Sequence, residues 1–317
     1  MMLEQTLPQK KHRSKIGSGI IPPLVTPLID PETLDVPGLR RLIEHVLSAG
    51  VHGIFILGTT GEGPSHSRKT AKEMIEHTCG LVNQRVPVYV GVSHTSTSAT
   101  LELADWAEDS GAAAVVLAPP YYLPPSDEEF LAYLAHISKL MPLPIFLYNM
   151  PSLTKVHLGI PTILRASGLP NVVGIKDSSG DMSYFHQLLR AFDGSDFSVL
   201  MGHEHLIGEA LLFGASGGVP GGANVAPSWF VQLDLAARSG DPTALTAAQK
   251  KILSLSELYQ TGPYQSSGIK GIKCALSLLG LCCETPALPF QSFTGAEQEK
   301  IKTILHSLQV PGFLAVV

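Results

Sequence analysis

Eight short apolar runs recur along the chain, at residues 20–25, 53–57, 86–90, 113–117, 144–147, 172–175, 197–201 and 216–219. They start roughly 20–33 residues apart, the spacing of strands that alternate with helices. Amphipathic stretches at 37–49, 67–82, 97–110, 127–139 and 182–192 lie between them. Apolar runs without polar alternation suit strands buried on both faces, which in practice means a parallel sheet covered by helices. The pattern predicts an α/β fold, a (β/α)8 TIM barrel. A doubly wound open sheet is the other candidate, but it usually carries a glycine-rich nucleotide fingerprint after its first strand. Here Thr26-Pro27 follows the first run and Gly58-Thr59-Thr60-Gly61 the second. Ser67, Thr97, Ser126 and Asp181 read as helix N-caps, and Asp127-Glu128-Glu129 suits the positive end of its helix. From Pro242 the strand pattern stops, and 243–259, 267–279 and 296–308 read as helices. The expected organisation is a flexible N-terminal tail over 1–18, a barrel over 19–240, and a C-terminal helical extension over 241–317 packed on it.

A chain of 317 residues, 44% hydrophobic and 15% charged, can bury a large core. Its net charge of −5 gives no footprint for nucleic acid or an anionic membrane. The basic cluster Lys10-Lys11-His12-Arg13 with Lys15 reads as part of a solvated tail. No apolar stretch approaches the ~20 residues of a membrane span, and the first 30 residues lack a signal peptide's apolar core. Cys79, Cys274, Cys282 and Cys283 form neither a C-x-x-C motif nor a disulfide framework, as expected of a reduced, cytoplasmic protein.

The chemistry is expected where strands end, because residues just past strand C-termini converge on one face of a barrel. Lys176 closes the sixth run, Val172-Val173-Gly174-Ile175. Such a lysine has its stem in apolar surroundings, and desolvation favours the free amine that attacks a carbonyl to form a Schiff base. A lone lysine there would simply mark where a strand meets solvent. This one has company: Thr59 and Thr60 after run two, Tyr121 and Tyr122 after run four, and Tyr148 after run five. Gly202, His203, Glu204 and His205 follow run seven, and Gly221-Gly222 run eight, which ends at Val219. A phenol whose pKa is lowered by a nearby ammonium can move protons on and off a carbinolamine. The Gly-Thr-Thr-Gly turn offers N–H groups and hydroxyls to a carboxylate. The two glycines would leave room for substrate beside the lysine.

Three motifs carry a family resemblance: Gly58-Thr59-Thr60-Gly61-Glu62, Tyr148-Asn149-Met150-Pro151 and Gly174-Ile175-Lys176-Asp177. From about residue 19 to 308 the chain resembles the dihydrodipicolinate synthase/N-acetylneuraminate lyase family of pyruvate-dependent class I aldolases. That likeness implies a lyase in which Lys176 forms the Schiff base with a 2-oxo acid and Tyr148 is the general acid/base. It implies that Thr59 and Tyr122 complete the proton relay, Tyr122 reaching in from a neighbouring subunit. Thr60 would hold the pyruvate carboxylate, with Gly202 and Val219 bordering the substrate. The resemblance further implies a homotetramer built from tight dimers, with no cofactor.

Substrate choice departs from the best-known relatives. Dihydrodipicolinate synthases carry an arginine two residues after the proline of the Tyr-Asn-x-Pro motif; here Leu153 stands there, with Lys155 two residues on. Ser178 lies where neuraminate lyase has a sugar-binding hydroxyl, but Glu204-His205 and Gly221 replace that enzyme's acidic pair and serine. The run Lys176-Asp177-Ser178-Ser179-Gly180-Asp181 is similar to 4-hydroxy-2-oxoglutarate and 2-keto-3-deoxy sugar acid aldolases. The expected reaction is therefore cleavage or condensation of a 2-oxo acid of that type, pairing pyruvate with an aldehyde. Dihydrodipicolinate synthase is the alternative. Two other readings stay open: a metal-dependent enzyme using His203-x-His205, Glu204 or His94, and a barrel that binds a 2-oxo acid without turning it over. If a helix begins at Glu204, His203 and His205 should face different ways, which argues against the metal.

Overall fold

The computed structural model describes residues 16–313. The apolar runs form eight parallel strands: β1 (Gly19–Ile20), β2 (Ile54–Ile56), β3 (Val88–Gly91), β4 (Ala114–Leu117), β5 (Ile145–Asn149), β6 (Val172–Asp177), β7 (Ser198–Met201) and β8 (Gly217–Gly218). From β2 on, each pairs with the next in sequence, and β8 pairs with β1. The ring closes through a bridge between Pro23 and Phe55, where Leu24 N–H donates to the Phe55 carbonyl at 2.8 Å. The first run was expected as a strand over 20–25. It is cut short because Pro22 and Pro23 have no N–H to give a ladder. A hairpin, Leu28–Asp30 with Thr33–Leu34, follows it.

Helices surround the sheet: α1 (Val36–Ser48), α2 (Arg68–Val82), α3 (Thr97–Asp109), α4 (Asp127–Ile137), α5 (Ile160–Ser167), α6 (Met182–Ala191), α7 (Ile207–Leu212) and α8 (Pro227–Ser239). Ser67, Ser126 and Asp181 cap their helices through side-chain hydrogen bonds. Thr97 does not; it is the first residue of α3, and Ser96 precedes it without a side-chain cap bond. Two apolar layers result. Phe55, Tyr89, Phe146, Tyr148, Leu200 and Val219 fill the barrel, while a larger cluster lies between strands and helices.

Of the tail expected over 1–18, residues 1–15 lie outside the described residues. Residues 16–18 run beside the strand starts: Gly17 N–H donates to the Tyr89 hydroxyl at 2.7 Å, and the Ile16 carbonyl accepts from Ser198. Past Pro242 the regular elements are all helical: α9 (Pro242–Ser254), α10 (Ser256–Tyr259), α11 (Ser267–Leu278) and α12 (Gly295–Ser307). This segment is tied to the barrel by Arg41 on the Leu281 carbonyl and by Cys283 N–H on Asp35. Among the described residues no helix is long and apolar enough to cross a membrane.

Candidate active site

Strands β5 and β6 pair so that Tyr148 lies directly across from Lys176, and Asn149 from Asp177. The second pair locks the first. Asn149 Nδ2 donates to Asp177 Oδ1 at 2.7 Å while its Oδ1 accepts the Leu158 N–H, and both side chains are fully buried. Ser179 Oγ donates to the other Asp177 oxygen. Burial pushes the Asp177 carboxyl above its ordinary range, and those hydrogen bonds only partly oppose it. Neither Asn149 nor Asp177 stood out in the sequence except as part of a motif.

Lys176 is 6% exposed, its Nζ 4.3 Å from the ring centre of Tyr148 and 5.1 Å from that of Phe55. Burial by itself would push the Tyr148 phenol up. The Lys176 ammonium, with hydrogen bonds from Thr59 and Ser178, outweighs it and brings the phenol below its ordinary value of 10. Thr59 Oγ1 stands 3.3 Å from the Tyr148 hydroxyl. An amine and an acidified phenol side by side at two buried strand ends can add to a carbonyl, expel water and return the proton.

Two cavities meet at Thr59. One, about 130 Å³, is walled by Phe55, Leu57, Tyr121, Tyr148, Met150 and Leu153. The other, about 360 Å³, is bordered by Thr60, Gly202, Glu204, Gly221, Tyr259 and Gln265. Gly202 belongs here because a Cβ would collide with Ser178 Oγ and come within 3.0 Å of Lys176 Cε. Room for substrate was expected at both glycines; a Cβ on Gly221 would sit in ordinary contact, 3.5–3.8 Å from Thr60, Ile272 and Tyr259, whereas Glu204 and Tyr259 already occupy the side of Gly222. Glu204, expected beside the substrate, has both oxygens engaged, one by Gly222 N–H and one by Tyr259 OH, each at 2.8 Å. Burial lifts its carboxyl to about 7 despite these bonds. Ser178 acts on the Tyr148 phenol. Val219 packs in the barrel interior and borders neither cavity.

Tyr122 is 85% exposed and stands apart from the single-chain site, whereas Tyr121 lines it. Lys155 donates to the Ser152 carbonyl at 2.7 Å and is absent from the walls of both cavities. His203 and His205 were expected to face apart. Their rings instead meet edge to face, 5.6 Å between centres, because His203 caps a short 3-10 turn, Glu204–Leu206, that carries His205. Even so, among the described residues no three His, Cys, Asp or Glu side chains are grouped to hold a metal. Nor did anything in the sequence signal that Tyr259, at the end of α10, and Gln265, in the turn before α11, border the pocket.

A parallel barrel with a buried lysine and an acidified tyrosine paired across two strand ends is the equipment a Schiff-base lyase needs. Within that class, the chain belongs to the dihydrodipicolinate synthetase family, whose pattern it matches over residues 17–308. It is similar to the 4-hydroxy-tetrahydrodipicolinate synthase of Ralstonia nicotianae, 32% identical across 94% of this chain and 99% of that one. It is also similar to the putative 2-dehydro-3-deoxy-D-gluconate aldolase YagE of Escherichia coli, 31% identical across 94% and 99%. Among solved structures, a dihydrodipicolinate synthase from Bacteroides thetaiotaomicron is 47% identical, with a TM-score of 0.89 over 92% of this chain and 99% of that one. YagE in complex with pyruvate gives 29% and 0.88 over 93% and 99%. The family's activity is that of pyruvate-dependent lyases.

Proposed function

We propose that this lyase cleaves, or in reverse forms, a 4-hydroxy-2-oxo or 2-keto-3-deoxy sugar acid, with pyruvate as the common partner. The Lys176 amine adds to C2 of the 2-oxo acid, and Tyr148 supplies the proton with which the carbinolamine hydroxyl leaves as water. Loss of the proton from the C4 hydroxyl breaks C3–C4. The bond's electrons pass to the imine as an enamine, and an aldehyde departs. Protonation at C3 and hydrolysis then return pyruvate and the free lysine. Thr59 passes protons to and from Tyr148, and Tyr122 of a neighbouring subunit completes the relay in a homotetramer. Thr60 holds the carboxylate beside Gly202 and Gly221.

The observation that carries the substrate class is Leu153, an apolar side chain on the wall of the cavity beside Tyr148; among the described residues, neither cavity wall carries a lysine or arginine to pair with a second carboxylate. A second carboxylate buried there would go unpaired, at a penalty of several kcal/mol. Several relatives are named as synthases that make 4-hydroxy-tetrahydrodipicolinate, so condensation of pyruvate with aspartate semialdehyde is the competing reading. Borohydride in the presence of pyruvate should add a reduced pyruvyl mass to the Lys176 peptide, and Lys176→Ala should abolish it without unfolding the protein. An unmodified Lys176 would end the Schiff-base reading. Comparing kcat/KM then separates the substrates: a semialdehyde preferred about tenfold or more returns the assignment to the synthase.

A further inference from the structure

We infer that Lys273, in helix α11 of the C-terminal segment, is a positioning residue that holds the Thr59-Thr60 turn in its substrate-binding shape through a buried ion pair with Glu62. Its functional half rests on the role proposed above for Thr59 and Thr60.

The turn is a place where backbone needs holding. Leu57 and Glu62, on either side of it, both have positive φ, 55° and 54°. Residues with a Cβ avoid that region, and they stay there only where surrounding contacts over-determine the backbone. On the barrel side, the Gly61 carbonyl accepts from Thr26 Oγ1 at 2.7 Å and bonds His66 Nε2 at 2.8 Å. Within the turn, Glu62 N–H donates to the Thr59 carbonyl at 3.0 Å. On the far side, the partners of the Glu62 carboxylate come from the C-terminal segment. Ala287 N–H donates to Glu62 Oε1 at 2.8 Å, and Lys273 Nζ pairs with Glu62 Oε2. Neither side chain of this ion pair has any exposure. The ammonium also donates to the Thr285 carbonyl at 2.8 Å.

A fully buried lysine is expensive unless its charge is matched, so one of these partners cannot be lost without consequence for the other. The match here lands on the residue next to Gly61, one hydrogen bond from Thr59 and two from Tyr148. Lys273 therefore reaches the reacting groups through Glu62, the turn backbone and Thr59, touching none of the substrate itself. A pair that merely fastened α11 to the barrel would raise stability and leave substrate affinity alone.

The double variant Glu62→Gln/Lys273→Met removes both charges together in the full-length protein, so neither is left buried alone. Three quantities are read: amide exchange over residues 58–63, the pyruvate concentration that half-saturates borohydride trapping, and the alkaline arm of the pH–rate profile. The double variant should still trap pyruvate at Lys176 when saturated. Its turn should exchange about tenfold faster or more, and half-saturation should rise by a similar factor. The alkaline arm should move up as Thr59 loosens its hold on Tyr148, and Lys273→Arg, which keeps the charge, should lie nearer the wild type. Turn exchange or half-saturation within about twofold of wild type overturns the inference. If the double variant does not fold, Glu62→Gln alone carries the comparison with the same limits, its buried lysine free to shed its proton. Failure of the wild type to trap pyruvate would instead remove the proposed function, and turn exchange alone would then decide whether Lys273 holds the turn.

Discussion

At the residue scale, the pairing of Lys176 with Tyr148 makes two demands that substitution can check. The phenol is held below its ordinary value by the ammonium and by Thr59 and Ser178. If the protonated phenol is the acid, activity is lost as pH rises through that lowered pKa. Thr59→Val removes a hydrogen bond that favours the phenolate, so the pKa rises and the alkaline arm of the rate profile should move up with it. Tyr148→Phe should lose about 10²–10⁴ in turnover, the usual reach of a general acid/base, with a much smaller change in the half-saturating pyruvate. Equal turnover by the Phe variant would leave the ring with packing alone. Leu153 is 40% exposed on the cavity wall. Leu153→Arg should raise kcat/KM for aspartate semialdehyde relative to the hydroxylated 2-oxo acid, and no change in that ratio would dissociate this position from substrate choice. Lys176, Tyr148 and Thr59 were legible in the sequence because each ends an apolar run within a short motif. Lys273 was not, although it sits in the apolar stretch Gly271-Ile272-Lys273-Cys274-Ala275-Leu276. A lysine on a buried helical face needs an anion, but nothing local says that the anion is Glu62.

At the scale of elements, the helix starts were readable because caps are local chemistry, whereas ties between elements distant in sequence were not. The bond from Tyr259, at the end of α10, to Glu204, after β7, is such a tie. Glu204 is buried and Tyr259 partly so, and burial raises the Glu204 carboxyl from an ordinary 4.5 to about 7. A carboxyl raised on folding binds its proton more tightly in the native state. Its contribution is therefore fully present below about 4.5 and is lost as pH climbs through about 7, on the order of a few kcal/mol. Glu204→Gln keeps the shape and removes the titration. Wild-type stability should thus fall between pH 5 and pH 8 by more than that of the variant, as measured by urea unfolding at each pH. Parallel curves for the two proteins would show that Glu204 does not titrate on unfolding.

At the scale of the whole molecule, the barrel was legible because parallel strands covered on both faces must be continuously apolar, and eight such runs leave few ways to close. The walls of the pocket were less so, since Tyr259 and Gln265 come from a helix end and a turn in the C-terminal segment that carry no motif. Least legible of all is whether a second copy supplies part of the site. Tyr122 and Leu123 are 85% and 81% exposed just after β4, next to Tyr121 on the cavity wall. If Tyr122 serves a neighbour's site, Lys176→Ala and Tyr122→Ala break different protomers of one shared site. Each variant alone should be inactive or nearly so. In a mixed dimer, the Tyr122→Ala protomer keeps its own Lys176 and receives Tyr122 from the Lys176→Ala protomer, so one of its two sites is whole. Random reassortment puts half the subunits' dimers in that mixed form, so co-expression should recover activity at about a quarter of the wild-type sites. Sedimentation must show at least a dimer in the same preparation. A dimer that recovers nothing, or a Tyr122→Ala variant fully active by itself, would leave the site complete within a single chain and Tyr121 as the tyrosine to test next.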